Sequence, residues 1–180
     1  PEVIRMFLLS KHYRSPIDYN EDSMKEVSTG LDRIYAFLER LEAADIQPAA
    51  SGTGDTWTDF AAAMDDDFNS ARGVAAVFEA VKRGNKLLDD ADGTLASDAG
   101  EALSLIMRDI QQASKILGIF MMSPADYFSG KKEKGMASES IDPAQVDQLI
   151  EERKQARQDK NFARADEIRD QLQQMKIVLE

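Results

Sequence analysis
Six cationic side chains fall within seventeen residues near the end of the chain: Arg153, Lys154, Arg157, Lys160, Arg164 and Arg169. Only Asp159, Asp166 and Glu167 oppose them, so the window 153–169 carries a net charge of +3, with Phe162 in its midst. Guanidinium and ammonium groups meet phosphate oxygens, an exposed ring stacks on an unpaired base, and a carboxylate such as Asp166 accepts from a base amino or imino group. That set suits a folded RNA. It is also the composition of an ordinary solvated helix surface with ion pairs four residues apart, and the pattern alone favours this plainer reading.

Other residues offer less. Asp65, Asp66 and Asp67 put three carboxylates together, as a hard cation such as Mg²⁺ would require. Acids just ahead of a helix also complement its positive end and cap free amides, and capping is the expected role. His12, in Lys11-His12-Tyr13-Arg14, has no Ser, Cys or ligand partner at a useful spacing and is expected to be structural. Trp57, the only tryptophan, is expected to pack. Gly52-Thr53-Gly54 lacks the preceding strand and the helix-opening pattern of a phosphate loop. With no cysteine in the chain, disulfides, thiolate metal sites and cysteine nucleophiles are excluded. The residues point to no catalytic group, metal or cofactor in this chain.

Helices must position the basic window. The chain has 180 residues, 43% of them hydrophobic, enough for a packed core in one domain or two small ones. Val27, Leu31, Ile34, Leu38 and Leu41 alternate steps of four and three, which predicts a helix over about 21–44. A second stripe takes Val74, Val77, Phe78, Val81 and Leu88, and a third takes Leu103, Ile106, Ile110, Ala113 and Leu117; the three are expected to pack as a bundle. Val3, Ile4, Met6, Phe7, Leu8 and Leu9 are apolar almost all round, placing a short first helix at the bundle's centre or as the tail of a longer one. Pro48, Gly52 and Gly54 mark a break before a short helix around 57–64.

From Ser123 to about 140 apolar periodicity is weak, and the run Lys131-Lys132-Glu133-Lys134 reads as part of an interdomain tether. Asp142 and Pro143 then start a helix with Val146, Leu149, Ile150 and Ala156 inward. Asn161 caps a second, with Ala165, Ile168, Leu172 and Met175 inward. Lys176 to Glu180 reads as a β-run whose partner would lie beyond the chain; with Pro1 in place of an initiator Met, both ends read as truncated. The expected fold is all-α: an antiparallel bundle over 1–122, a linker over 123–141, and a helical hairpin over 142–180 with a short unpaired terminal β-run.

Bulk charge opposes a nucleic-acid partner. The chain carries 33 acidic and 22 basic side chains, a net of −11, which repels a phosphate backbone at long range. Its distribution matters more: residues 1–140 hold 24 acids and 15 bases, a net of −9, so the acidity belongs mostly to the bundle. No apolar run approaches the roughly 18 residues of a membrane span, and residues 1–9 lack a cleavable leader, so no membrane partner is expected.

Three strings add a resemblance: FLLSKHYRSP from Phe7 to Pro16, MDDDFNSA from Met64 to Ala71, and a tail made of IEERKQAR from Ile150, ADEIRDQL from Ala165 and IVLE from Ile177. In order and spacing they resemble the C-terminal half of bacterial cysteinyl-tRNA synthetases, a class I aminoacyl-tRNA synthetase family. The resemblance implies a DALR-like anticodon-binding bundle over about 1–122, followed by a small anticodon-contacting domain. It implies that ATP and zinc serve the full-length parent, a cysteine–tRNA ligase. The parent's His-Ile-Gly-His and Lys-Met-Ser-Lys-Ser signatures and its Cys, His and Glu zinc site do not occur here, so this piece alone is not expected to catalyse. By position, the family's anticodon readers fall on Arg157, Asp166 and Arg169, with Phe162 where relatives often have Trp. The RNA-binding set is then Arg153, Arg157, Lys160, Phe162, Arg164, Asp166 and Arg169. Lys176 stands where relatives usually have Gly. The implied partners are the anticodon stem-loop of tRNA-Cys and the absent N-terminal catalytic domain, in a cytoplasmic monomer. Two other readings stay open: a structural spacer with little RNA affinity, and a helical protein-interaction bundle. Arg33, on a bundle helix away from the basic window, is expected to matter less for RNA than Arg157.

Overall fold
Apolar residues at steps of three and four, interrupted by Pro, Gly and Asn, dictate a chain of helices. The computed structural model describes residues 1–91, 95–138, 143–158 and 161–174, and all the regular structure among them is helical. The helices are α1 (Glu2–Leu9), α2 (Glu21–Ala43), α3 (Asp55–Asp65), α4 (Ser70–Asp90), α5 (Ser97–Leu117), α6 (Pro124–Ser138), α7 (Pro143–Gln158) and α8 (Phe162–Gln174). They fall into two compact units, Pro1–Ala125 and Asp126–Glu180.

In the first unit α2, α4 and α5 supply most of the core. All five residues of the α5 stripe are buried, from Leu103 to Leu117. In α2, Leu31, Ile34 and Leu41 are buried while Val27 and Leu38 are only half-buried, because Tyr35 and Phe37 fill the interior beside them. The Asn20 side chain caps α2 by accepting from the Ser23 amide at 2.8 Å, and Asn69 caps α4 by accepting from the Arg72 amide at 3.0 Å. The aspartate triplet therefore does not cap α4. Asp65 ends α3, Asp66 pairs with Arg72 at 3.6 Å, and Asp67 accepts from the Tyr13 hydroxyl at 2.7 Å and from Arg14 at 3.2 Å. Asp67 and Phe68 both take the left-handed conformation, with φ of 57° and 52°. The Tyr13 and Arg14 bonds hold the turn there against its intrinsic cost.

α1 is neither central nor apolar all round in its surroundings. Met6 and Phe7 are buried, whereas Ile4 and Leu8 are more than half exposed. Polar bonds fix it: the Glu2 carboxylate accepts from the Tyr35 hydroxyl at 2.9 Å and from the Phe120 amide, and Arg5 donates to the Gly118 carbonyl. Burial and the bond to Glu2 push the Tyr35 hydroxyl well above its ordinary range. Gly118, at φ 66°, closes α5 in the left-handed cap that glycine adopts without strain.

The stretch expected as an irregular tether contains a helix, α6. Pro124 at its first position has no amide hydrogen to lose there, and straight-chain Lys and Glu sustain helix without an apolar stripe. Its apolar residues do not follow a helical period, so periodicity did not mark it.

In the second unit α7 packs on α8 as a hairpin. Asn161 caps α8, its side chain accepting from the Arg164 amide at 3.3 Å, and its own amide donates to the Ala156 carbonyl at 2.8 Å to close the turn. Ala156, Ala165, Ile168 and Leu172 are buried as their spacing requires, but Ile150 is 40% exposed and does not belong to the buried face. The side chains of Val146 and Met175, the cap at Asp142 and the expected β-run at 176–180 lie outside the described residues.

Candidate nucleic-acid interface
The hairpin sorts the basic window into two groups. On α7, Ile150, Arg153, Lys154 and Arg157 follow the i, i+3, i+4, i+7 spacing of one helix face, and together they line a shallow groove of about 390 Å³. Lys154 makes a loose pair with Glu151 at 3.6 Å, and among the described residues Arg157 has no carboxylate partner. The Arg153 Nε is buried without a hydrogen-bond partner, while the rest of its side chain is half-buried. A donor buried this way costs free energy until it meets an acceptor.

On α8 the charges are already satisfied internally. Arg164 donates to Glu152 of α7 at 2.8 Å and to Glu167 at 3.1 Å, joining the two helices; the Glu152 bonds, then those to Glu167, raise its pKa further. Asp166 pairs with Arg169 at 3.3 Å, and Arg169 also reaches Asp170 at 3.4 Å. These are exposed pairs, each worth about 0–1 kcal/mol, which a nucleic acid exchanges at little cost. Phe162 opens α8 and is 62% exposed, an arrangement that leaves its ring face free to stack. Lys160 lies outside the described residues.

The structure thus brings Arg153 and Arg157 together and ties Arg164, Asp166 and Arg169 into local pairs. Lys154 and Ile150 join the groove though neither is in the sequence-derived set, and Ile150 was expected inward. Their i, i+3, i+4, i+7 spacing with Arg153 and Arg157 is the signal that finds them. His12 lies 3.8 Å from Asp67 and stacks on Tyr13 with ring centroids 4.9 Å apart, and Trp57 stacks on Phe60 at 5.6 Å. Among the described residues no group of three or more His, Cys, Asp or Glu side chains is placed to hold a metal, and no helix is long and apolar enough to cross a membrane.

Comparison with known families matches both units. Residues 59–121 match the DALR domain family, and residues 143–180 match the cysteinyl-tRNA ligase anticodon binding domain. Over 99% of its length the chain is 38% identical to a cysteine–tRNA ligase of Geobacter sulfurreducens, covering 38% of that protein. It is 39% identical to the cysteine–tRNA ligase of Ectopseudomonas mendocina over its whole length, covering 35% of that protein, and 33% identical to that of Trichlorobacter lovleyi, covering 38%. The chain therefore spans little more than a third of these relatives. With both domains matched and homology along its full extent, the chain belongs to the cysteine–tRNA ligase family, of which it carries the DALR domain and the anticodon binding domain.

Proposed function
We propose that the chain is the tRNA-binding, anticodon-recognising portion of a cysteine–tRNA ligase whose whole enzyme attaches cysteine to tRNA-Cys at the expense of ATP. One observation carries this reading: the anticodon binding domain match, residues 143–180, contains the whole basic window 153–169. Arg153, Lys154, Arg157 and Lys160 neutralise backbone phosphates, Phe162 stacks on an unpaired base, and Arg157, Asp166 and Arg169 read base edges once Asp166 and Arg169 release each other. Arg164 holds α7 to α8 through Glu152 and so positions the readers. The bundle over 1–122 links this hairpin to a catalytic domain through 123–141, in a cytoplasmic monomer. Zinc and ATP belong to the catalytic domain in this reading; with no cysteine and one histidine, this chain does not offer a donor set of Cys, His and Glu.

A second reading of the bundle, as a spacer with little RNA affinity, is favoured by its acidic balance of 24 acids against 15 bases over residues 1–140. Arg157→Ala separates the hairpin's role from a general electrostatic one. It is expected to weaken binding of a tRNA with the GCA anticodon by about tenfold or more, as for loss of one base-reading arginine, with an unchanged circular-dichroism melt. Undiminished affinity removes Arg157 from the interface.

A further inference from the structure
The two helices of the hairpin do not offer their cations alike. On α7 the groove beside Ile150 gathers Arg153, Lys154 and Arg157, and among the described residues its only ion pair is the loose one between Lys154 and Glu151 at 3.6 Å. On α8 both arginines are enclosed by carboxylates. Arg164 gives its Nε and Nη2 to Glu152, at 3.1 and 2.8 Å, and its remaining Nη1 to Glu167 at 3.1 Å. Arg169 turns Nη1 to Asp166 at 3.3 Å and Nη2 to Asp170 at 3.4 Å. Along α8 the bases Arg164 and Arg169 face the acids Asp166, Glu167 and Asp170, a net of −1, and Glu152 adds a fourth carboxylate from α7.

These four acids are not equivalent. Glu152 ties the two helices together, and Asp166 has a base edge to read in the function proposed above. Glu167 and Asp170 pair only within α8, with side chains 64% and 62% exposed, and join nothing across the turn. Exposed pairs of this kind do little for folding. Their effect on a nucleic acid is different. A phosphate is the same at every nucleotide, so an uncovered arginine takes any strand in any register, whereas base edges carry the sequence. A carboxylate beside the guanidinium repels a phosphate but not an uncharged base edge, and it therefore penalises the wrong partner more than the right one.

We propose that Glu167 and Asp170 are specificity-determining residues of the hairpin: by covering Arg164 and Arg169 they keep phosphate off α8, so that the RNA backbone is held only along the α7 groove. This rests on the RNA-binding reading above and adds to it how the strand lies, with its backbone toward α7 and its bases toward α8. When Asp166 turns to a base, Asp170 still covers Arg169, and Glu167 still covers the part of Arg164 that Glu152 leaves. The acids lower affinity for every RNA, but least for the one whose bases engage Asp166 and Arg169.

The test uses the 180-residue chain, a tRNA with the GCA anticodon and the same tRNA with an altered anticodon, each titrated across a salt series. Glu167→Gln with Asp170→Asn keeps side-chain size and leaves the Glu152–Arg164 tie in place, so the circular-dichroism melt is expected to stay unchanged. Each exposed pair restrains its arginine by a factor of up to about five. Affinity for the altered tRNA is expected to rise about fivefold or more and that for GCA tRNA about twofold or less, which lowers the selectivity ratio. The slope of log affinity against log salt for the altered tRNA is expected to steepen by about one to two as α8 arginines take phosphates. Glu151→Gln, which frees Lys154 inside the α7 groove, is expected to raise both affinities by the same factor. If the double variant also raises both equally, the two acids act as bulk charge and the assignment is overturned, while anticodon reading stands. Weaker binding in the double variant overturns it as well. A wild-type chain without preference for GCA removes both the anticodon reading and the role of the acids in it.

Discussion

Asp109 is 1% exposed, and its carboxylate accepts from the Gly54 amide at 3.0 Å and the Trp57 amide at 3.1 Å. It thus caps α3 from across the bundle, doing what Gly54, the residue before α3, has no side chain to do. Arg108 beside it secures the same loop through the carbonyls of Ala49, Ala50 and Gly52. Nothing in the sequence marks the pair, because a cap supplied from 55 residues away leaves no local pattern. Asp109→Ala strands two half-buried donors and is expected to cost about 1–3 kcal/mol in urea unfolding, while Asp109→Asn, which keeps one acceptor, costs less. Equal, negligible losses would show that solvent replaces the cap. At the hairpin the readable part was composition: the cations and Phe162 were evident, but which of them are free was not. That depends on Glu152 meeting Arg164 across the turn, a partnership twelve residues apart.

Between elements, glycine carries more of the packing than its helix propensity suggests. Gly84 lies inside α4, where glycine normally costs about 1 kcal/mol relative to alanine. A Cβ at this position would fall within the Phe37 ring of α2, so the glycine sets how closely the two helices approach. Gly84→Ala gains propensity but overpacks the interface. A net destabilisation of about 1–3 kcal/mol is expected by thermal or urea melting, and stabilisation would mean that Phe37 moves aside freely. The α5 stripe was fully legible because every member of it is buried. The α2 stripe was half legible, since a one-residue-wide series missed Tyr35 and Phe37, which face the same core on either side of it. α6 escaped because its sequence carries no regular apolar period to read.

Across the whole chain, net charge is a poor guide to partner. The −11 total describes a surface on which most arginines of the first unit are engaged by local acceptors, and it hides the α7 groove, where Arg157 has no carboxylate partner among the described residues. Long-range repulsion from the remaining acids lowers non-specific attraction to nucleic acid, so the affinity that remains depends on short-range contacts. The all-helical architecture and the family resemblance were legible from periodicity and three short strings. The most direct test of the account compares the affinity of the 180-residue chain for tRNA with the GCA anticodon and for the same tRNA with one anticodon base changed, at one fixed salt concentration. The account predicts about tenfold or more weaker binding to the altered tRNA, as loss of one base-edge contact is worth about 1–3 kcal/mol, and it predicts that Arg157→Ala narrows the difference. Equal affinity for both tRNAs would contradict it.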